Sequence, residues 1–153
     1  MGEPKAAPVR GCTANKLRRL TRRVTQHYDH VLAAAGLRVT QFSLLQQLAN
    51  AGPLPMSALA AHLEMDRTTL TRNLGPLVAS GWVALSPGED ARVREVSIAP
   101  KGVAVLERAR VLWRAAQDGI NRRLGAGQVA ALHALLDDSL ARLREDMEEG
   151  EPA

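Results

Sequence analysis

The stretch from Asp66 to Ser80 (DRTTLTRNLGPLVAS) leaves this chain few folds to choose from. Leu70, Leu74, Leu77 and Val78 recur at spacings of four, three and one, the signature of one apolar stripe on a helix. Asp66 suits the N-cap, where a carboxylate accepts from the free N–H groups of the first turn and complements the macrodipole. Arg67, Thr68, Thr69, Thr71, Arg72 and Asn73 fall mostly off the stripe, near the N-terminal end. A helix that packs on one side and presents this set on the other needs short, closely packed neighbours.

The neighbours have that form. Upstream, Leu59, Ala60 and Leu63 mark a short helix from about Met56, and Glu64-Met65-Asp66 turns into the next one. Two short helices joined this way make a helix-turn-helix. Gly81 ends the second helix, and Pro76 inside it predicts a kink. Downstream, Trp82 to Ser86 reads as a strand, Pro87 to Ala91 as a turn, and Val93 to Ile98 as a second strand with Val96 and Ile98 on one face. A hairpin directly after such a helix is a wing.

A winged helix-turn-helix places the first turns of its second helix in a DNA major groove. The residue types fit that task. Arg bridges guanine O6 and N7, Asn pairs with adenine, and Thr offers a hydroxyl or meets a thymine methyl. The expected DNA contacts are therefore Arg67, Thr68, Thr69, Thr71, Arg72 and Asn73. Arg92 and Arg94 join them from the wing, because Arg on a thin hairpin suits a narrow minor groove.

The flanks read as long helices. Leu17, Leu20, Val24, Tyr28, Val31 and Ala35 define one up to Gly36. Thr40 is placed to cap the next, whose stripe is Phe42, Leu45, Leu48 and Ala49, closed by Gly52-Pro53. Pro100 opens a helix with Val103, Leu106, Trp113, Ala116, Ile120 and Leu124 on its stripe. After Gly125-Ala126-Gly127 a last helix carries Val129, Leu132, Leu136, Leu140, Leu143 and Met147. The expected fold is thus mainly α with a small β-hairpin wing. Residues 1–11 form a flexible arm, 37–99 the winged helix-turn-helix, 12–36 and 100–148 a helical dimerisation region, and 149–153 an acidic tail. Three amphipathic helices from the two chain ends call for a partner surface. A symmetric dimer supplies one, and an intrachain bundle is the alternative.

Charge narrows the function further. The formal net charge is +4 and the pI about 10.0, which suits a polyanionic partner. Yet residues 64–101 hold five charges of each sign, so a DNA surface there must come from placement of charge. Aromatics are only 3%, too few for a base-stacking single-strand binder. No apolar run reaches membrane-span length and no signal-peptide core follows Met1, so a cytoplasmic protein is expected. There is no phosphate loop, nucleophile elbow or convergent acid/base set, so no enzyme and no cofactor are expected. His27 and His30 lie three apart, but His62 and His133 are isolated, and no metal site is expected.

The order of parts resembles the MarR family of bacterial transcription regulators from about Cys12 to Met147. The likeness rests on Leu59-Ala60, the helix ending in Leu77, Gly81-Trp82-Val83, Asp90-Ala91-Arg92 and Val96 to Gly102. The resemblance implies a homodimer that reads near-palindromic double-stranded DNA with two recognition helices and flanking wings. It also implies repression relieved by a small ligand or by oxidation. For an aromatic-acid effector the candidate lining is Arg19, Arg23, His27, Phe42 and Trp113, with guanidinium groups for a carboxylate and rings for an aromatic face. For oxidation the candidate is Cys12, the one cysteine, which lies near the basic cluster that starts the first helix. A non-specific architectural DNA-binding protein is a further alternative.

Overall fold

The computed structural model describes residues 10–90 and 92–148, with side chains followed as far as Arg144. Most of the expected arm, all of the expected acidic tail, and Ala91 at the wing tip lie outside the described residues. The chain divides within one long helix, after Trp113, into two compact units.

The first unit opens with α1 (Thr13–Leu32), which ends in a 3₁₀ turn over Ala33–Ala35. Gly36, at φ +73°, stops it in the left-handed conformation that glycine adopts without Cβ strain. α2 (Val39–Ala51), α3 (Met56–His62) and α4 (Arg67–Ala79) follow. A three-stranded antiparallel sheet, in the order β1 (Leu54–Pro55), β3 (Arg94–Ile98), β2 (Val83–Pro87), completes the winged unit before α5 (Pro100–Leu124) begins. Val83 pairs with Ile98 and Leu85 with Val96, while Leu54 pairs with Val96 on its other side.

The core lies where α2, α3, α4 and α5 meet the sheet. Leu44, Leu45, Leu48, Leu59, Leu70, Leu74, Leu77, Val96, Val105 and Leu106 are buried there. Phe42 stacks on Trp113 at its edge, ring centroids 5.9 Å apart and planes 10° from parallel. Arg110 reaches from α5 to α2, donating from Nε to Gln46 Oε1 at 3.2 Å.

Several local expectations change. α2 begins two residues earlier than a Thr40 cap would place it. Gln41 Oε1 accepts from the Arg38 N–H at 2.9 Å, and Asp29 Oδ1, from α1, accepts from the Val39 N–H at 2.8 Å. Ala49 is exposed and Leu44 takes its place inside. In α5 Val103 is exposed, and the buried stripe runs through Val105, Leu106 and Ala109, because the first turn packs by its glycine, Gly102, against the Trp82 backbone. α4 runs on through Pro76, whose ring lies on the exposed side, and the Pro76 carbonyl accepts from the Ser80 N–H at 3.0 Å.

In the second unit, α5 reaches its end and Gly125, at φ +85°, turns the chain directly into α6 (Ala126–Glu148), two residues sooner than the Gly125-Ala126-Gly127 reading. No described helix is long and apolar enough to cross a membrane.

Candidate nucleic-acid interface

The turn between α3 and α4 is built by backbone hydrogen bonds. Met65 donates to the Ala60 carbonyl at 2.9 Å and Glu64 to Ala61 at 3.2 Å, which forces Glu64 to φ +50°. This is the closing pattern that usually takes glycine. It re-aims the chain so that Asp66 starts α4 at once. Asp66 Oδ1 accepts from the Thr69 N–H at 2.8 Å, and Oδ2 accepts from the Thr69 hydroxyl at 2.6 Å. The hydroxyl bond, then the N–H bond, hold the Asp66 carboxyl below its ordinary pKa. Its charge therefore stays at the positive end of the helix.

At the other end of α4 the same pattern recurs. Trp82 donates to the Leu77 carbonyl and Gly81 to Val78, both at 2.9 Å, with Gly81 at φ +71°. The helix is thus pinned at both ends and held along its middle by buried Leu70, Leu74 and Leu77.

The six α4 residues singled out by sequence divide into three groups. Arg67, Thr68, Thr71 and Arg72 are exposed and together line a shallow hollow of about 480 Å3. The Arg67 and Arg72 guanidinium groups make no hydrogen bond or ion pair among the described residues. Thr71 lies on this face, but its hydroxyl donates to the Arg67 carbonyl at 2.8 Å, leaving a methyl and an acceptor outward. Thr69 is half-buried and spent on Asp66. Asn73 is half-buried too, with Nδ2 donating to Met65 Sδ at 3.8 Å.

Asn73 faces a second hollow, of about 250 Å3, which it shares with Arg72, Pro76 and the start of α2: Arg38, Thr40, Gln41 and Leu44. Sequence reading does not single out Arg38 or Gln41 and gives Thr40 only a capping role. The available signal is weak: an Arg just before a helix that starts without an acidic residue in its first turn. The hollow joins two guanidinium groups, a hydroxyl and the N-terminus of a 13-residue helix, a combination suited to a phosphate.

The wing tip is held by Asp90. Its Oδ1 accepts from the Arg92 N–H at 3.0 Å, its carbonyl from Val93 at 2.8 Å, and the Val93 carbonyl accepts from Gly88 at 2.7 Å. Asp90 therefore shapes the turn through the backbone and leaves the exposed Arg92 side chain outward; Arg94, opposite Pro87, is exposed as well.

The other candidates are scattered. Arg19 and Arg23 line an open hollow of about 530 Å3 on α1 with Lys16, Leu20, Arg22 and Gln26. His27 lies edge-on to Tyr28, ring centroids 6.0 Å apart. Phe42 is 5% exposed and faces Trp113 in the core. Cys12 is a free, exposed thiol at the N-cap of α1. No group of three or more metal-ligating side chains occurs among the described residues.

Comparison with known proteins agrees with this geometry. A family model described as "MarR family" matches residues 35–93, from the end of the 3₁₀ turn to the wing tip. The chain is 32% identical, over 128 residues, to the multiple antibiotic resistance protein MarR of Salmonella typhimurium, covering 78% of this chain and 88% of that protein. Among solved structures it is similar to the M. tuberculosis transcriptional regulator MosR in complex with DNA. That match has 36% identity and a TM-score of 0.75, covering 88% of this chain and 99% of the other. It is likewise similar to a mutant of E. coli MarR complexed with operator DNA, at 26% identity and a TM-score of 0.76, covering 83% and 92%. A pinned recognition helix, a wing held at its tip and a likeness that spans most of both chains lead to one conclusion: this chain belongs to the MarR family of transcription regulators.

Proposed function

We propose that this protein is a sequence-specific, double-stranded-DNA-binding repressor that acts as a homodimer on a near-palindromic operator. The observation that carries the reading is the outer face of α4, where the uncommitted Arg67 and Arg72 share one hollow with Thr68 and Thr71. Arg67 and Arg72 read base edges in the major groove. Arg38 and Thr40 seat a flanking phosphate. Arg92 and Arg94 enter the adjacent minor groove. Thr69 and Asn73 position the helix from within. MosR and E. coli MarR, to which the chain is similar, were both solved with DNA.

Two recognition helices related by a two-fold axis expect half-sites about 10 bp apart, one helical turn. Selection of bound sequences from a random duplex pool at moderate salt tests the proposal. A near-palindrome with that spacing is expected. Retained protein with no enriched sequence overturns it and leaves the architectural reading, in which all duplexes bind alike with a steep salt dependence.

Release is assigned to a small anionic effector, an aromatic acid in the first instance, held by Arg19 and Arg23 on the α1 hollow; Phe42 and Trp113 already cover one another. Oxidation of Cys12 is the second reading, supported by its exposure at the start of α1. Repeating the selection with an oxidant separates the two. Loss of enrichment in the wild type but not in Cys12→Ser makes the thiol the trigger.

A further inference from the structure

The start of α2 breaks a strong local preference. A helix N-cap calls for Ser, Thr, Asp or Asn, whose side-chain oxygen accepts from the free N–H groups of the first turn. Position 38 is arginine, in the extended conformation of an N-cap (φ −99°, ψ 159°), and a guanidinium has donors only. The first turn holds no acidic residue either, and Thr40 lies inside the helix. The local sequence supplies Gln41, whose Oε1 accepts from the Arg38 N–H at 2.9 Å. The next donor, the Val39 N–H, has no acceptor nearby in sequence.

The missing acceptor comes from another element. Asp29, half-buried in the last turns of α1, places Oδ1 2.8 Å from the Val39 nitrogen. The corner between the two helices keeps it there. Leu37 donates to the Leu32 carbonyl at 3.3 Å and Gly36 to Ala33 at 2.9 Å, and Leu32 and Leu37 are both buried. A carboxylate in this place also complements the helix dipole. It does not engage the arginine: Arg38 makes no ion pair among the described residues. Arg38 is exposed and lines the hollow of about 250 Å3 that also holds Arg72 and Thr40.

A local rule broken at one position and repaired from ten residues away marks a position kept for something other than stability. Resting on the DNA reading and its phosphate seat, we propose that Asp29 is a positioning residue for DNA binding: it stands in for the N-cap of α2, which leaves position 38 to an arginine that holds a phosphate. Asp29 itself touches no DNA. It fixes the first turn of α2, and with it the place from which Arg38 and Thr40 reach the backbone. The effect falls on affinity for every duplex, because phosphate contacts carry no sequence information.

Full-length variants test this: Arg38→Thr, Asp29→Ala, Asp29→Asn, and Arg38→Thr combined with Asp29→Ala. Each is unfolded in urea and titrated with the selected operator and with scrambled duplex across a salt series. Arg38→Thr restores a local cap, so its urea midpoint is expected at or above that of the wild type. Its affinity for both duplexes is expected to fall about tenfold, and its slope of log K against log salt to flatten by about one. Asp29→Ala is expected to lower the midpoint and to weaken both duplexes by the same several-fold factor. Asp29→Asn keeps an acceptor oxygen and is expected to recover most of both. In the combined variant the Asp29 change is expected to cost less in binding, since the arginine it positions is gone, and less in stability, since the new hydroxyl caps the helix. Asp29→Ala that binds both duplexes like the wild type, or that loses the same factor in both backgrounds, overturns the positioning role. So does an Asp29→Ala protein that fails to fold together with a combined variant that fails too, because the local cap then replaces nothing. Arg38→Thr with unchanged affinity and salt slope overturns the phosphate seat. A wild type that binds no duplex overturns the DNA reading itself.

Discussion

Gly102 lies so close to Trp82 that a Cβ at position 102 would stand 2.1 Å from the Trp82 carbonyl oxygen, and 2.8 Å from Ile98 Cγ1. The same carbonyl accepts from the Ala99 N–H at 2.9 Å. The start of α5 is thereby fastened to the base of the wing. Neither neighbour is the end of a flexible side chain, so nothing yields cheaply. Gly102→Ala is expected to destabilise the protein by about 1–3 kcal/mol or more, read as a lower urea midpoint with an unchanged slope. A midpoint equal to the wild type would refute the close packing.

Base reading and phosphate seating separate by specificity. Arg72→Ala is expected to cost about 1–3 kcal/mol on the selected operator and less on scrambled duplex. Titration of both duplexes decides it, and equal losses count against a base contact.

The wing residue behaves differently if it serves the minor groove through charge. Arg92→Ala is expected to weaken all duplexes alike and to flatten the slope of log K against log salt by about one. An unchanged salt slope removes Arg92 from the interface.

The Asp66 cap carries a pH signature. Its folded pKa is depressed, first by the Thr69 hydroxyl and then by the Thr69 N–H. Its contribution is therefore complete above the unfolded value of about 3.9 and is lost as pH falls through the lower folded value. Asp66→Ala is expected to be less stable than the wild type at neutral pH, with the gap narrowing below about pH 4. Thermal melts across that range check this; a gap constant with pH would show that the carboxylate charge plays no part.

The Phe42–Trp113 stack is placed as core. Phe42→Ala is expected to cost about 3–5 kcal/mol in stability, with a change in Trp113 fluorescence. A stable Phe42→Ala protein that loses response to an aromatic acid would return Phe42 to the effector site.

Much of this architecture was legible because the elements are long and their punctuation is chemical. Leu70, Leu74 and Leu77 identify α4, Asp66 starts it, and Gly81 stops it. What escaped lies at shorter range or longer reach. β1 is two residues, Leu54 and Pro55, too few to show an alternation. The α2 start depends on Asp29, ten residues away, which no local pattern reveals. The Val103 stripe failed because Gly102, with no apolar side chain, makes the close contact. In the site, residue type names Arg67, Thr71 and Arg72, but only the fold shows that Thr69 is consumed by Asp66 and that Arg38 stands beside Arg72.

The internal use of the threonine hydroxyls bears on how such a regulator would find its address in a genome. With the Thr69 and Thr71 protons spent inside the protein and Asn73 turned to Met65, each recognition helix of the proposed homodimer would keep two guanidinium groups, the Thr68 hydroxyl, the Thr71 acceptor and a few methyls to discriminate between letters. A half-site then carries little information, and chance matches are common. In the proposed homodimer, selectivity then comes from demanding two such words at one fixed separation. Inserting or deleting a few base pairs between the halves should therefore harm recognition more than changing any single letter.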